Sequence, residues 1–503
     1  MRAQAAYDEL IRRTREESLL ASCAELLGWD ELTYMPRGGV GHRAEQMALL
    51  AGMLHERGTD PRLGELLGVL EGSELVADPD SPAAVNVREL RRVYDRQTRL
   101  PRTLVEETAR VTSVAQREWE AARADADFAR LRPWLEKVFT LKRREAELLG
   151  RGAAPYDALL NDYEPGATSA ELMRLFEALR AELVPLVHAL TANPRRPNRD
   201  VLQRAFPLDR QRLLGAEVAA AVGFDFQRGR LDTAIHPFCS SIGPGDCRIT
   251  TRFSLHNFRD AFFAVLHEVG HGLYEQGLDP VHYGTPAGEV SSLGLHESQS
   301  RLWENQVGRS RPFWDHFFPR THQMFPEALA DVEPDEFYFA VNRVEQSTNR
   351  VRADEVTYNL HILVRFELEQ ALVRGELPIA ELPAAWNEAY RRYLGVTPAD
   401  DAEGCLQDGH WASGQIGYFP TYTLGNLFAA QLFARAAADL GDLDVRLRRG
   451  DFTGLLGWLG EHVYRPGGLY PAARLIERAT GSPPDHRPLV AALRKKYGEL
   501  YEL

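Results

Sequence analysis

Apolar residues along most of the chain recur three and four positions apart, with charged side chains between them. The clearest segments, each rich in strong helix formers, are residues 6–32, 127–150, 169–190 and 353–375. The last of these ends at Gly375, a residue type that commonly terminates helices. Residues 191–200 are rich in proline and asparagine and are predicted to form a loop. The pattern therefore predicts a mainly α-helical protein.

Residues 232–255 depart from this helical pattern. They are rich in Thr, Ser, Ile and Phe, and the Gly-Pro-Gly at 243–245 interrupts them. This composition predicts short strands around a turn, and hence a small β-sheet just before the next helix. Because no stretch reads as a linker, residues 1–503 are expected to form one large helical domain, arranged either as a single body or as two lobes around a cleft.

Composition narrows the classes of partner. A net charge of −13 argues against a nucleic-acid partner, since a phosphate backbone requires a basic face. No apolar run approaches the roughly 20 residues that span a bilayer, and the charged residues 1–20 do not resemble a secretory signal. We therefore expect a cytoplasmic protein without a membrane partner. Cys239 and Cys247 could meet across a hairpin, but reduced thiols are the preferred interpretation.

The stretch "HEVGH" at residues 267–271 follows the apolar run "AFFAVL". On a helix, His267 and His271 lie on one face and can direct both imidazoles at one point. Glu268 lies about 100° around the axis, where it can reach a metal-activated water without being a ligand. Two neutral imidazoles and a nearby glutamate are what a zinc hydrolase requires. The alternative is a pair of structural histidines held by hydrogen bonds on a buried helix.

A catalytic zinc site needs a third protein ligand and one open position. A third histidine six residues after the second is excluded, because Gly277 occupies that position. A glutamate on a following helix is the other common solution. Glu297 would lie in the first or second turn of a helix that Ser291 or Ser292 could cap. Spacing does not choose between Glu297 and its rivals Glu289 and Glu304, and each of the three could also be a surface charge.

Further stretches, in a consistent order along the chain, resemble the carboxypeptidase Taq family of metallocarboxypeptidases. They are "GWDELTYMP" at 28–36, "HPF" at 236–238, "DCRIT" at 246–250, "HEVGH" at 267–271, "HESQS" at 296–300, "NRVRAD" at 349–354, "GCLQDGHW" at 404–411 and "GYFPTYTLGN" at 417–426. The resemblance implies an almost wholly helical, neurolysin-like fold with a deep groove and a homodimeric assembly. It also implies Glu297 as the third metal ligand and peptides with a free C-terminus as substrates.

The resemblance also suggests how substrate is bound. It points to Arg350 as the residue that binds the terminal carboxylate, for which a guanidinium is well suited. Arg352 departs from the family, many members of which carry an acidic residue there; it could assist Arg350 or pair with Asp354 or Glu355. Arg248 is a further candidate for substrate contact, although bracing the site from its strand is the preferred interpretation.

Other polar residues of the signature segments are assigned supporting roles. His410, Tyr418 and Tyr422 are candidate donors to the oxygen of the attacked carbonyl. His236 is a candidate for substrate contact or, like His296, an outer partner of the metal ligands. Trp411 is expected in the core.

The expected activity is release of single amino acids from peptide C-termini, with broad specificity. Water activated by zinc would attack the last peptide bond, with Glu268 as general base. Cobalt or manganese could replace zinc at such a site. The alternatives are a zinc oligoendopeptidase of related fold and, in a different class, a non-catalytic helical protein that binds metal for stability.

Overall fold

Helices make up most of the protein, as the apolar pattern predicts. A computed structural model describes residues 2–150 and 154–503. In the amino-terminal half the α-helices are α1 (Ala3–Thr33), α2 (Val40–Gly58), α3 (Pro61–Leu70), α4 (Pro82–Arg99), α5 (Arg102–Asp125), α6 (Phe128–Leu149), α7 (Pro155–Leu160), α8 (Ser169–Ala192) and α9 (Leu208–Ala221). The later helices are α10 (Phe258–Gly277), α11 (Leu293–Arg301), α12 (Arg311–Met324), α13 (Pro326–Leu329), α14 (Pro334–Val341), α15 (Tyr358–Arg374), α16 (Leu382–Leu394), α17 (Pro420–Leu440), α18 (Leu443–Arg448), α19 (Thr453–Leu459), α20 (Ala472–Thr480) and α21 (Arg487–Tyr501).

Three of the four predicted helical segments match α1, α6 and α8 within a few residues, and the fourth begins late. Helix α15 starts at Tyr358 rather than at residue 353, because the carboxylate of Asp354 accepts hydrogen bonds from the backbone N–H groups of Val356 and Thr357 and holds a turn there. Its end is as predicted, with Gly375 in the left-handed region at φ 73°.

The strand-like stretch forms a three-stranded sheet of β1 (Gly229–Thr233), β2 (Cys239–Gly243) and β3 (Asp246–Thr251). The order is β1-β3-β2, with β3 parallel to β1 and antiparallel to β2. The Gly-Pro-Gly turn joins β2 to β3 as predicted. Cys239 and Cys247 lie with their Sγ atoms 3.6 Å apart as free thiols.

Helix α10 packs between this sheet, α9 and α11. Its first turns are surrounded by aromatic rings; Phe262, for example, lies 5.2 Å from the ring of Trp314. Further along, Gly270 allows close approach to α11, because a Cβ there would lie 2.4 Å from the carbonyl oxygen of Gln299. The helix that carries "HEVGH" is therefore held tightly on several sides.

The buried apolar residues form one large cluster that extends from α5 to α21 and a second, smaller one. The smaller cluster joins α1, α3 and α4 through residues such as Leu10, Leu67 and Val87. A cavity of about 930 Å³ lies between these amino-terminal helices and the rest of the protein. The assignment of residues 1–503 to a single domain stays a prediction.

Within residues 2–150 and 154–503, no helix combines the length and the apolar character needed to cross a lipid bilayer.

Candidate metal centre and active site

His267, His271 and Glu297 come together between α10 and α11. The Nε2 atoms of both histidines lie 3.5 Å from Oε2 of Glu297, and the three potential ligand atoms are all within 4.8 Å of one another. The three side chains are only 8–20% exposed. Two imidazole nitrogens and one carboxylate oxygen, converging on one point, form a donor set that fits a divalent metal such as zinc.

The start of α11 determines where Glu297 lies. Ser292 caps this helix by accepting a hydrogen bond from the N–H of Leu295, as one of the two predicted caps. The buried carboxylate of Glu164 accepts a second bond, 2.6 Å from the N–H of Gly294. On the opposite side Gly425 of α17 packs on Glu297, because a Cβ there would lie 2.5 Å from its Cγ.

Glu304 is an outer partner of the metal-ligand cluster. It lies in a π-helical turn, Leu302–Val307, that continues α11, and its Oε2 is 3.0 Å from Nδ1 of His267. Arg301 donates to both glutamates, at 2.8 Å from Oε1 of Glu297 and 3.1 Å from Oε2 of Glu304. Burial raises the pKa of Glu297, but Arg301, His267 and His271 together outweigh it and hold that pKa well below its usual range.

His271 is supported from its other side by His296. The two rings stack at 4.3 Å between centroids, and Nε2 of His296 lies 3.0 Å from Oε1 of Glu275. Burial, with a smaller contribution from neighbouring His296, lowers the pKa of His271 to about 3. The imidazole is therefore neutral near pH 7, which is the form that binds metals.

Glu268 lies on α10 beside the cluster and is 6% exposed. Burial raises its pKa to about 7, despite the opposing effect of His267. A carboxyl group with a pKa in this range can both accept and return a proton at neutral pH.

Arg350 belongs to a buried charge cluster. Its Nε and Nη2 donate to Oδ1 of Asp408 at 3.0 and 2.7 Å. Oδ2 of the same aspartate accepts from Nε of Arg365 at 2.6 Å. Two guanidinium groups thus share one carboxylate, which leaves an excess positive charge. Nη1 of Arg350 also donates to the hydroxyl of Tyr358, whose ring lies 4.4 Å from Cζ of Arg301. This contact places the cluster beside the metal ligands.

The three candidate donors lie next to this cluster. Nε2 of His410 is 3.3 Å from the hydroxyl of Tyr422, over whose ring Cζ of Arg350 lies at 5.1 Å. The rings of Tyr418 and Tyr422 meet edge to face at 5.2 Å. Burial lowers the pKa of His410 to about 4 and raises the pKa of both tyrosines. All three are therefore neutral donors near pH 7.

The remaining predicted residues make their contacts with other parts of the protein. Arg248 donates to Asp246 at 2.8 Å and covers the ring of Trp29 at 4.2 Å. His236 is exposed in the connection between β1 and β2. Glu289 lines the large cavity beside the amino-terminal helices.

Two further expectations concern single side chains. Trp411 is buried as predicted and donates to Glu369 at 2.7 Å. The pairing of Arg352 with Asp354 or Glu355 is wrong, because Glu355 binds Lys496 and Asp354 accepts from its own turn.

Several residues of the site were missed by the sequence reasoning. Arg301 stands four positions after Glu297, a helical spacing typical of an ion pair, and could have been noticed. Asp408 lies within the signature at residues 404–411 and could have been proposed as the partner of a buried arginine. For Glu304 the sequence predicts only a metal ligand or a surface charge. No local pattern points to Glu164, which acts from a distant loop.

Proteins of similar sequence are carboxypeptidases, in agreement with a metal centre at this position. The model of the family described as carboxypeptidase Taq (M32) metallopeptidase matches residues 9–497. Thermostable carboxypeptidase 1 of Thermus thermophilus is 50% identical over 510 residues, covering 100% of both chains. Carboxypeptidase 1 of Bacillus subtilis is 38% identical, covering 99% of this chain and 98% of its own.

Solved structures of carboxypeptidases have the same fold. An M32 carboxypeptidase from Deinococcus radiodurans superposes with a TM-score of 0.96 at 42% identity, covering 99% of this chain and 100% of its own. A Pyrococcus furiosus carboxypeptidase has a TM-score of 0.94 at 35% identity, covering 98% and 99%. The chain therefore belongs to the carboxypeptidase Taq (M32) metallopeptidase family and is itself a metallocarboxypeptidase.

Proposed function

We propose that the protein is a zinc carboxypeptidase that releases single amino acids from the free C-termini of peptides. The observation that carries this proposal is the adjacency of two features. One is the His267–His271–Glu297 cluster with Glu268 beside it. The other is the positively charged Arg350–Asp408–Arg365 cluster, which Tyr358 and Arg301 connect to the first. A peptidase that needs a terminal carboxylate requires both parts.

His267, His271 and Glu297 would hold the metal, with zinc favoured by this nitrogen and oxygen donor set. Cobalt or manganese are possible substitutes. When bound, such an ion lowers the pKa of a coordinated water to about 7 and polarises a peptide carbonyl. Arg301 and Glu304 keep the ligands in place, Arg301 by neutralising Glu297 and Glu304 by accepting from Nδ1 of His267.

The chain's own residues would carry the proton and bind the substrate. Arg350 binds the terminal carboxylate with the N–H groups that Asp408 leaves free. Glu268 accepts the proton of the attacking water and returns it to the departing amino group. Tyr422, Tyr418 and His410 supply neutral hydrogen bonds to the negative charge that develops on the attacked carbonyl oxygen.

Arg248 and His236 stay weaker candidates for substrate contact. Arg248 contacts Asp246 and Trp29, which supports a bracing role, and His236 is exposed beside the sheet. A homodimeric assembly and a cytoplasmic location complete the proposal. The family resemblance supports the first, and the free state of the four cysteines supports the second. Size-exclusion chromatography with light scattering tests the dimer directly.

Mass spectrometry of a ten-residue peptide tests the activity. The peptide is incubated with the enzyme with and without a chelator, beside a copy amidated at its C-terminus. We expect a ladder of single-residue losses from the free peptide, abolished by the chelator and absent for the amide. Internal fragments from both peptides would favour an oligoendopeptidase, and intact peptides with metal bound would favour a non-catalytic protein.

A further inference from the structure

A second, smaller cavity lies at the amino-terminal end of α10, away from the metal ligands. Its volume is about 200 Å³, which is enough for several water molecules or one tetrahedral anion. Four arginines line it: Arg199, Arg259, Arg343 and Arg352. Asp260 is the one acidic residue among its lining residues. The cavity is thus strongly basic in a protein whose net charge is −13.

The positive charges of this basic cavity are only partly compensated. Glu345 forms ion pairs with Arg199 and Arg343, and Asp260 accepts from Asn257 at 2.6 Å. In the part of the chain that the structure describes, the guanidinium groups of Arg259 and Arg352 make no hydrogen bond or ion pair. Asp354 and Asp260 lie close enough to offset part of the charge of Arg259, but neither forms an ion pair or hydrogen bond with it.

Arg343 lines the cavity and carries a buried N–H without a partner, although this atom itself does not open onto the cavity. Its Nε is inaccessible to solvent and, among the residues that the structure describes, nothing accepts its hydrogen. An unsatisfied buried N–H carries a substantial free-energy cost, more so when the group is charged. Burial, together with the neighbouring charges of Arg309 and Arg343, lowers the pKa of Arg259 to about 10, although Asp354 and Asp260 act in the opposite direction. Cations crowded in this way are stabilised by a bound anion.

The amino-terminal end of helix α10 adds to the positive potential of this cavity. The cavity includes Asn257, which caps the helix, and Arg259 in its first turn. The first turn of a helix carries partial positive charge and free N–H groups, so an anion there interacts favourably with a helix of 20 residues. This effect alone would not define a site; here it adds to four arginines that meet at the same place.

We propose that this basic cavity binds a small dianionic oxyanion, a phosphate group either free or on a larger molecule. Guanidinium groups match the oxygens of phosphate with paired N–H donors, and Arg352 and Arg259 each have all their donors available. The proposal also assigns a role to Arg352, which has none in the proposed substrate site. Arg350, two positions earlier, faces Asp408 and Tyr358, whereas Arg352 lines the basic cavity.

Calorimetric titration of the metal-loaded protein with inorganic phosphate, at fixed ionic strength, tests the proposal. Arg352→Gln and Arg259→Gln should each weaken binding about tenfold or more, as expected for losing a charge-assisted hydrogen bond. Arg102→Gln is the matched control, since that side chain is 88% exposed on α5 and the change removes the same charge. Its affinity for phosphate should equal that of the wild type.

Arg352 is exposed and its replacement leaves the packing intact, so a loss of affinity in that variant is not a loss of folding. Phenyl phosphate, titrated in parallel, distinguishes the two sources: equal or tighter binding indicates a phosphorylated molecule, and exclusive binding of inorganic phosphate indicates the free ion. Binding that survives both Arg352→Gln and Arg259→Gln overturns the proposal. So does binding that Arg350→Gln abolishes, because the anion would then occupy the carboxylate site.

Discussion

Glu268 and Glu297 are both buried glutamates beside His267, yet their surroundings move their pKa values in opposite directions. Burial dominates at Glu268 and raises its pKa to about 7. At Glu297, Arg301 and the two histidines together outweigh burial and keep the carboxyl ionised. Two carboxyl groups whose environments separate their pKa values have different roles. Glu297 is suited to hold a cation, and Glu268 is suited to transfer a proton.

Glu268→Gln should separate these roles. Because glutamine has nearly the same shape but cannot accept a proton, we expect metal content to stay at the wild-type level. We expect kcat to fall by about 10²- to 10⁴-fold, the usual contribution of a general base. Metal analysis and peptide hydrolysis are measured on the same preparation. Wild-type turnover in this variant would remove Glu268 from the mechanism.

Arg350→Gln tests the carboxylate site through a thermodynamic cycle with the substrate. On a free peptide we expect kcat/KM to fall by about two orders of magnitude, because a charge-assisted contact is lost. The amidated peptide is not expected to be cleaved, so its binding is measured as a competitive inhibition constant. This constant should differ little between the variant and the wild type, since the contact is already absent. Asp408 keeps Arg365 as its partner in the variant.

Arg391→Gln, 65% exposed on α16, is the control for the loss of one charge. If the amidated peptide binds more weakly by the same factor as kcat/KM falls on the free peptide, Arg350 acts on the fold rather than on the substrate carboxylate.

At the level of helices, the metal-ligand cluster depends on how closely α10, α11 and α17 approach one another. Two glycines make this possible: Gly270 between α10 and α11, and Gly425 between α17 and Glu297. In both places a single Cβ would overlap atoms of α11. The cap at Ser292 and the carboxylate of Glu164 then fix the start of α11. The carboxylate of Glu297 therefore reaches the histidines because the start of α11 is fixed and Glu297 occupies the right position along that helix.

Gly425→Ala should therefore weaken metal binding. The added Cβ would lie 2.5 Å from Cγ of Glu297 and must displace it. We expect about a tenfold loss of metal affinity, measured by competition with a chelator. Overpacking of about 1–3 kcal/mol should exceed the helix-propensity gain of about 1 kcal/mol, so the thermal midpoint should also fall.

Gly457→Ala in α19 is the matched control, because nothing lies within 4 Å of a Cβ at that position. It should leave metal affinity unchanged and raise the thermal midpoint slightly. Equal metal affinity in Gly425→Ala and Gly457→Ala would contradict the proposed role of this close approach.

At the level of the complete chain, buried carboxyl groups that do not contact the metal ligands couple stability to pH. Glu369 is fully buried and accepts hydrogen bonds from Tyr156, Trp411 and the N–H of Gly417. Burial nevertheless raises its pKa to about 7, from about 4.5 in the unfolded chain. Its contribution to stability is thus fully present below pH 4.5 and is lost as the pH rises through 7.

Glu369→Gln should reduce this pH dependence. The wild type should lose on the order of 3 kcal/mol relative to the variant between pH 4.5 and pH 8. Denaturant unfolding across this range measures the difference, and any constant offset reflects the altered hydrogen bonds. A difference that does not change with pH would contradict the raised pKa.

Glu145→Gln is a control of opposite sign. Although burial raises the pKa of Glu145, Lys142 and Arg96 lower it below the ordinary value. Its stabilisation is therefore present above the unfolded pKa and is lost as the pH falls. In this variant the difference from the wild type should appear at the acid end of the range.

Much of this architecture follows from local patterns. The apolar periodicity of residues 6–32, 127–150 and 169–190 predicts α1, α6 and α8, because helices of this length must bury one face. The Gly-Pro-Gly at 243–245 predicts the turn between β2 and β3. The spacing of "HEVGH" places two imidazoles on one face of a helix wherever that helix packs. These features depend on neighbours in the chain and are visible without the fold.

Contacts between distant segments of the chain determine which residues meet at the metal centre and around Arg350. Spacing left three glutamates as rivals, and only the packing of α11 against α10 and α17 brings Glu297, with Glu304 behind His267, to the histidines. The partners of Arg350 and of Gly294 come from residues 408 and 164, far away in the chain. Neither the excess charge around Asp408 nor the meeting of four arginines at the start of α10 has a local signature, because both arise from groups that only folding brings together.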